Sequence, residues 1–235
     1  MLILFDVDAT LITTSRTGIE AMGRAGRAAF GEAFDEHRVE YAGRLDPLII
    51  ADLLRAHDQP VTPEAIEAFR AGYRHHLSEL VVQPGMARPC PGVPELLDAL
   101  DADGSFTLGL LTGNYPDTGA IKLRAAGIDP DRFQIAVWGC DSPHDPPARE
   151  HLPGIGITRY AERFGREIAG EQVLIVGDTP HDVSCAKAHA CRVLAVGTGS
   201  FGAEHMPDAD RFFTDLSRTE EVLDWIRLTL TQPTP

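Results

Sequence analysis

From Pro91 onward the chain alternates short apolar runs with helical segments, and this alternation limits the fold more than any other feature. A helical stretch from Val93 to Leu100 leads into an apolar run, Phe106 to Leu111. A helix from Pro116 stops at Gly127 and is followed by a short run, Gln134 to Trp138. After a polar loop, Gly139 to Arg149, come a helix over Leu152 to Phe164, a strand Val173 to Val176 and a helix from Pro180. Val193 to Val196 reads as a strand, Phe212-Phe213 as an edge strand, and a last helix runs from Thr219 to Leu230, with Gln232 to Pro235 read as a frayed tail. Strands of four or five consecutive apolar residues, spaced by helices, predict a parallel sheet covered on both faces. The first strand of that sheet is Leu2-Ile3-Leu4-Phe5 at the N-terminus.

Between the first strand and this alternating region the character differs. From Thr17 to Leu80 the apolar residues recur at helical spacing: Ile19, Met22, Ala25 and Phe30 in one segment, Ile66, Phe69, Tyr73 and Leu77 in another. Asp46-Pro47 and Thr62-Pro63 each read as an N-cap followed by proline at the first helical position. The reading is an α/β core, residues 1–14 and 88–235, with an inserted all-helical cap, residues 15–87, over the carboxyl edge of the sheet.

Ligands of open α/β sheets bind outside the carboxyl ends of the strands, so the residues after each predicted strand carry the chemistry. Asp6 and Asp8 follow the first strand. A carboxylate can attack phosphorus, and a second one can move protons to a leaving group and from water. Thr112-Gly113-Asn114 follow the run to Leu111, a hydroxyl and a close-approach glycine at a helix start that can cradle a phosphate. Asp178 and Asp182 follow Gly177, two carboxylates able to converge on a hard cation. Each cluster also has an ordinary structural reading, as turn and helix caps.

In order, these clusters resemble the motifs of the haloacid dehalogenase superfamily. Asp6-Val7-Asp8-Ala9-Thr10 matches its D-x-D-x-T motif, Leu110-Leu111-Thr112-Gly113-Asn114 its second motif, and Gly177-Asp178 with Asp182 its G-D-x-x-x-D motif. A helical cap after the first motif is similar to the phosphoglycolate-phosphatase-like branch. The resemblance implies a Rossmann-like sheet and a Mg²⁺-dependent phosphatase acting on a small phosphomonoester through an aspartyl-phosphate. Asp6 is then the nucleophile and Asp8 the general acid/base. Thr112, Gly113 and Asn114 hold the phosphoryl group. The metal is bound by Asp6, the Asp8 carbonyl, Asp178 and, directly or through water, Asp182.

Two departures from the family pattern stand out. Ala9 occupies a position that is usually glycine. The third motif is usually a lysine, yet the only lysines are Lys122 and Lys187, both well inside helices and neither where the family places its own. Arg149, just before the helix over 152–164, is the best substitute, since a guanidinium stays charged and grips carboxylate or phosphate. Arg44, in a loop between cap helices, is a candidate contact for the rest of the substrate, and His181 reads as a surface histidine beside the site. His75-His76 reads as helix surface.

Competing functions share these residues. A phosphomutase of the β-phosphoglucomutase kind uses the same aspartate pair but passes the phosphoryl group to a sugar hydroxyl. A dehalogenase or phosphonate hydrolase is disfavoured by Asp8 and by the lack of a cap lysine. A non-catalytic binding protein of the same fold is the alternative from another class. The net charge of −14 and the absence of a Lys/Arg cluster argue against a nucleic-acid partner. No apolar run is long enough to span a membrane. Leu2 to Phe5 meets Asp6 at once, unlike a signal peptide, and the four cysteines have no CxxC or zinc spacing. The expectation is a cytoplasmic enzyme with a small phosphorylated metabolite as partner. The motifs encode no oligomeric state.

Overall fold

The computed structural model describes residues 1–231. Six parallel strands form one sheet: β1 (Leu2–Phe5), β4 (Thr107–Leu111), β5 (Ile135–Val137), β6 (Val173–Gly177), β7 (Arg192–Val196) and β8 (Arg211–Phe213). Their order is β5-β4-β1-β6-β7-β8, so β1 is central, flanked by β4 and β6. Phe5 is level with Leu110 on one side and Val176 on the other. The residues that follow these three strands therefore emerge side by side, at the switch point where such sheets bind ligands.

Alternation of side chains sends each strand into two cores. Ile3, Phe5, Leu174 and Val176 pack with α4 (Val93–Asp103), α5 (Pro116–Ala125) and α8 (Thr219–Thr231). Leu2, Leu4, Val173 and Ile175 pack with α6 (Leu152–Phe164) and α7 (Pro180–Lys187) on the opposite face. With both faces buried, no strand can alternate apolar and polar residues, which explains the unbroken apolar runs in the sequence. Phe212-Phe213 does lie in the edge strand, β8. The tail reading for Gln232–Pro235 falls outside the described residues.

The remaining helices, α1 (Thr17–Phe30), α2 (Asp46–Ala56) and α3 (Pro63–Leu80), build a third core, which Tyr115 joins and against which Ile121 and Ala125 of α5 pack. Met22 and Ala25, Ile50, Leu53 and Leu54, and Phe69, Tyr73 and Leu77 fill it. The chain leaves the sheet and returns to it through two short strands absent from the sequence reading, β2 (Ile12–Thr13) and β3 (Arg88–Pro89), paired antiparallel. Two residues each give too little pattern to recognise; their pairing sets the crossings side by side. Thr62 caps α3 as expected, accepting from the Ala65 N–H. Asp46 does not cap α2. Leu45 is the N-cap, and Asp46 is the first helical residue, buried, with its carboxylate turned to another element.

Candidate active site at the end of the central strand

Asp6 ends β1. Its N–H continues the ladder to the Val176 carbonyl at 2.9 Å, which fixes the backbone from which the carboxylate projects. Two residues on, the chain turns through Ala9 in the left-handed region, φ +58°, and the Ala9 N–H closes the turn on the Ile12 carbonyl at 2.7 Å. That φ is why glycine suits the position: an alanine Cβ there is crowded by the backbone, at a cost of roughly 1–2 kcal/mol.

Arg149 lies in a helical turn, Arg149–His151, that leads into α6. It is 95% buried, and its Nη2 sits 3.1 Å from Asp6 Oδ1 and 2.5 Å from Asp182 Oδ1. Its Nη1 reaches the Gly43 carbonyl at 3.4 Å. The sequence-predicted substitute for the absent lysine is thus beside Asp6. Asp182 has no exposed surface, and its other oxygen accepts from the Thr179 N–H at 3.0 Å and hydroxyl at 2.7 Å, capping α7. Both its oxygens are engaged by protein. Gly177 is required here because a Cβ would drive into the Asp182 carboxylate.

Asp178 follows β6 and accepts from the Thr10 hydroxyl at 3.2 Å. Burial pushes its carboxyl up to about 8, with Asp6 and Asp182 adding repulsion. Burial likewise raises Asp6, to about 6, against the pull of Arg149. Oxygens of Asp6, Asp178 and Asp182 lie within 4.8 Å of one another. Among the described residues Asp6, Asp8, Asp178 and Asp182 are met by two cations, Arg149 and Lys122. The excess negative charge and the all-oxygen donor set fit a hard divalent cation.

Thr112 is buried at the end of β4, anchored by its N–H on the Val137 carbonyl at 3.0 Å. Its hydroxyl oxygen accepts from the Asn114 Nδ2 at 2.8 Å, leaving the hydroxyl proton available to a ligand oxygen. The Asn114 amide also donates to Asp8 Oδ2 at 2.8 Å. Gly113 packs against the Arg44 carbonyl so closely that a Cβ has no room, and its own carbonyl accepts from the Asp46 N–H at 2.8 Å. The loop before α2 is therefore seated directly on the Thr112–Asn114 turn. Arg44 comes to the site through this backbone. Its guanidinium is turned away, paired with Asp52 at 2.5 Å and with the Glu40 carbonyl at 3.2 Å. His181 is exposed and lies beside Gly43.

Sequence reasoning missed three contributors. Lys122, from the second turn of α5, places Nζ 2.7 Å from Asp8 Oδ2 and 2.6 Å from Asn114 Oδ1. Asp46 accepts from the Tyr115 N–H at 3.3 Å, and burial lifts its carboxyl to about 6. Tyr73, fully inside, turns its hydroxyl towards Lys122. No local spacing gave Lys122 away: Asn114 and Tyr115 precede α5, and the pair meets only through the turn that carries Asn114 back over the helix.

The sequence model of the haloacid dehalogenase-like hydrolases matches residues 3–196. The chain belongs to this family. It is accordingly an enzyme of the hydrolase class, with the family's α/β fold. It is 27% identical to a phosphoglycolate phosphatase of Vibrio cholerae, over 90% of this chain and 91% of that protein. It is 30% identical to a 5'-nucleotidase of Pseudomonas aeruginosa, over 94% and 95%. Among solved structures, CbbY from Rhodobacter sphaeroides in complex with phosphate superposes with a TM-score of 0.75, at 21% identity over 92% of this chain and 94% of that one. None of the helices in the described residues is long and apolar enough to cross a membrane.

Proposed function

We propose that the protein is a Mg²⁺-dependent phosphatase that hydrolyses a small phosphomonoester through an aspartyl-phosphate on Asp6, with residues 15–87 acting as a cap over the site. The observation that carries this reading is a buried carboxylate, Asp6, held at 3.1 Å by a buried guanidinium at the end of the central strand, between the turns bearing Thr112 and Asp178. The phosphatases and nucleotidase among its relatives support the reaction class.

In the first step an Asp6 oxygen attacks phosphorus, the ester P–O bond breaks, and Asp8 gives its proton to the departing alkoxide. In the second, Asp8 takes a proton from water as that water attacks phosphorus, and the bond to Asp6 breaks to release inorganic phosphate. The two roles suit a carboxylate whose side chain is 42% exposed beside a buried nucleophile. Thr112 and the amides of its turn hold the non-bridging oxygens, while Arg149 offsets charge on Asp6 and the phosphoryl group. Mg²⁺, which Asp6, Asp178 and the Asp8 carbonyl would hold, supplies charge neutralisation. Asp182 serves it by fixing Arg149.

A reducing compartment, the cytoplasm, suits a chain whose four cysteines are all free thiols. The substrate proposed is a small anionic metabolite; a net charge of −14 disfavours nucleic acid and anionic membrane surfaces as partners. The test is phosphate release from a panel of small phosphate esters, with Mg²⁺ and with chelator, wild type beside Asp6→Asn. Release that requires both Mg²⁺ and Asp6 is the expected result. Undiminished turnover by Asp6→Asn would remove Asp6 as nucleophile, and sugar-phosphate isomerisation without release would favour the mutase reading.

A further inference from the structure

Lys122 is one of two lysines in the chain and the one that is buried, with a side chain 6% exposed. It stands on α5, in the body of the sheet domain, yet its ammonium is enclosed by all three helices of the insertion. Gly18 of α1 leaves the space: a Cβ built there would lie 3.5 Å from both Lys122 Nζ and the Tyr73 hydroxyl. Tyr73 comes from α3, and the Asp46 carboxylate, from the first residue of α2, is close enough to attract the same ammonium. Burying an ammonium is costly unless partners repay it. Here the repayment is Asp8 at 2.7 Å and Asn114 at 2.6 Å.

Both donors to Asp8 converge on one atom. Lys122 Nζ and Asn114 Nδ2 hold Oδ2 at 2.7 and 2.8 Å. Asn114 is itself fixed, its amide donating to Thr112 and its carbonyl accepting from Lys122. A carboxylate gripped through one oxygen cannot spin about its Cβ–Cγ bond, so the other oxygen, Oδ1, has a set direction. Proton transfer depends steeply on such placement.

We propose that Lys122 is a positioning residue for the phosphatase reaction, clamping Oδ2 of Asp8 so that Oδ1 meets the leaving-group oxygen, with Tyr73 holding the ammonium in place from the insertion. The inference rests on the phosphatase reading above. It assigns Lys122 to the step in which the Asp8 proton passes to the leaving oxygen while the ester bond breaks and the Asp6–phosphorus bond forms.

The leaving group separates this role from a merely structural one. p-Nitrophenolate departs without a proton, whereas an alkoxide needs one, and kcat/KM reports the first transfer alone. The experiment measures kcat/KM with Mg²⁺ for p-nitrophenyl phosphate and for the fastest alkyl ester among phosphoglycolate, glycerol phosphate and a nucleoside monophosphate. Wild type, Lys122→Met, Tyr73→Phe and Asp6→Asn are compared. For Lys122→Met the expected loss is about 100-fold on the alkyl ester and under about tenfold on p-nitrophenyl phosphate, in the range general acid catalysis contributes. Tyr73→Phe, which removes one hydroxyl and keeps the ring, should lose about three- to tenfold on the alkyl ester and a smaller factor, under about twofold, on the other; it decides the matter if Lys122→Met does not fold. Equal losses on the two esters, or none, overturn the role of Lys122 while the phosphatase reading stands. No release by the wild type, or release that survives Asp6→Asn, overturns that reading and this proposal with it.

Discussion

Arg149 touches Asp6 with the same nitrogen that it gives to Asp182, 3.1 Å to the first and 2.5 Å to the second. Asp182 is locked by its cap on α7, so the guanidinium cannot follow a substrate; it is a fixed positive charge on which Asp6 is aimed. Preorganised charge of this kind acts in the transition state without reorganisation.

Replacing Arg149 should therefore be severe. Arg149→Ala is expected to cut turnover by roughly 10²–10³-fold and to destabilise the fold by about 3–5 kcal/mol, because two buried carboxylates lose their cation. Arg149→Lys keeps the charge without the fork and should recover part of both losses. Steady-state kinetics and urea unfolding check this; a loss below about threefold for Arg149→Ala would remove the residue from the machinery.

Mg²⁺ should stabilise the protein more at pH 8 than at pH 5. Without metal the Asp6 carboxyl is pushed up to about 6 and that of Asp178 to about 8. Protons therefore compete with the cation as pH falls through this window. At a Mg²⁺ concentration 100-fold above Kd at pH 8 the gain is about 2.7 kcal/mol, some 5 °C or more in Tm for a chain of this size. Thermal melts with Mg²⁺ and with chelator at the two pH values measure it, and equal shifts at both would refute the assignment.

Asp46→Asn should stabilise the protein at neutral pH. The buried Asp46 carboxyl titrates at about 6, above its ordinary value near 3.8. The folded state thus favours the protonated form. That contribution is complete below about pH 4 and lost as pH rises through about 6, an upper bound of about 3 kcal/mol. Asparagine keeps an oxygen for the Tyr115 N–H and removes the charge. The expected Tm advantage over wild type is larger at pH 7.5 than at pH 5; a constant or reversed difference counts against it.

Ala9→Gly should not carry the usual penalty of a new glycine. Relief of the left-handed strain, roughly 1–2 kcal/mol, outweighs the added chain entropy of about 0.5–1 kcal/mol. Calorimetry should show Tm unchanged or raised, with Ala9→Val lowered by several degrees, since a branched side chain tolerates φ +58° worse than alanine.

The sheet was legible because its strands are buried on both faces and read as unbroken apolar runs, as at Val173–Val176. Asp6, Thr112 and Asp178 were legible because strand ends on a parallel sheet share one edge, whatever the intervening sequence. Arg149 could be named because the family resemblance implies a cation there and the loop holds no lysine. What the sequence concealed depends on contacts between distant elements. The loop at Arg44 reads as a substrate contact, and in the fold its guanidinium is paired with Asp52, eight residues further along, a partner no local pattern displays. Asp46-Pro47 looks like a cap, yet the tertiary partner at Tyr115 draws the carboxylate across to α5. Lys122 was passed over because a lysine in mid-helix is ordinarily a solvated one, and only the packing of three other helices over it makes it internal.

The enclosure of Lys122 also fixes how the protein meets amine-directed reagents. The folded chain offers an acylating agent its α-amino group and Lys187, whereas the unfolded chain offers one amine more. The mass of the acylated protein therefore counts molecules that have opened around the site, one acyl group at a time, with no fluorophore or substrate needed.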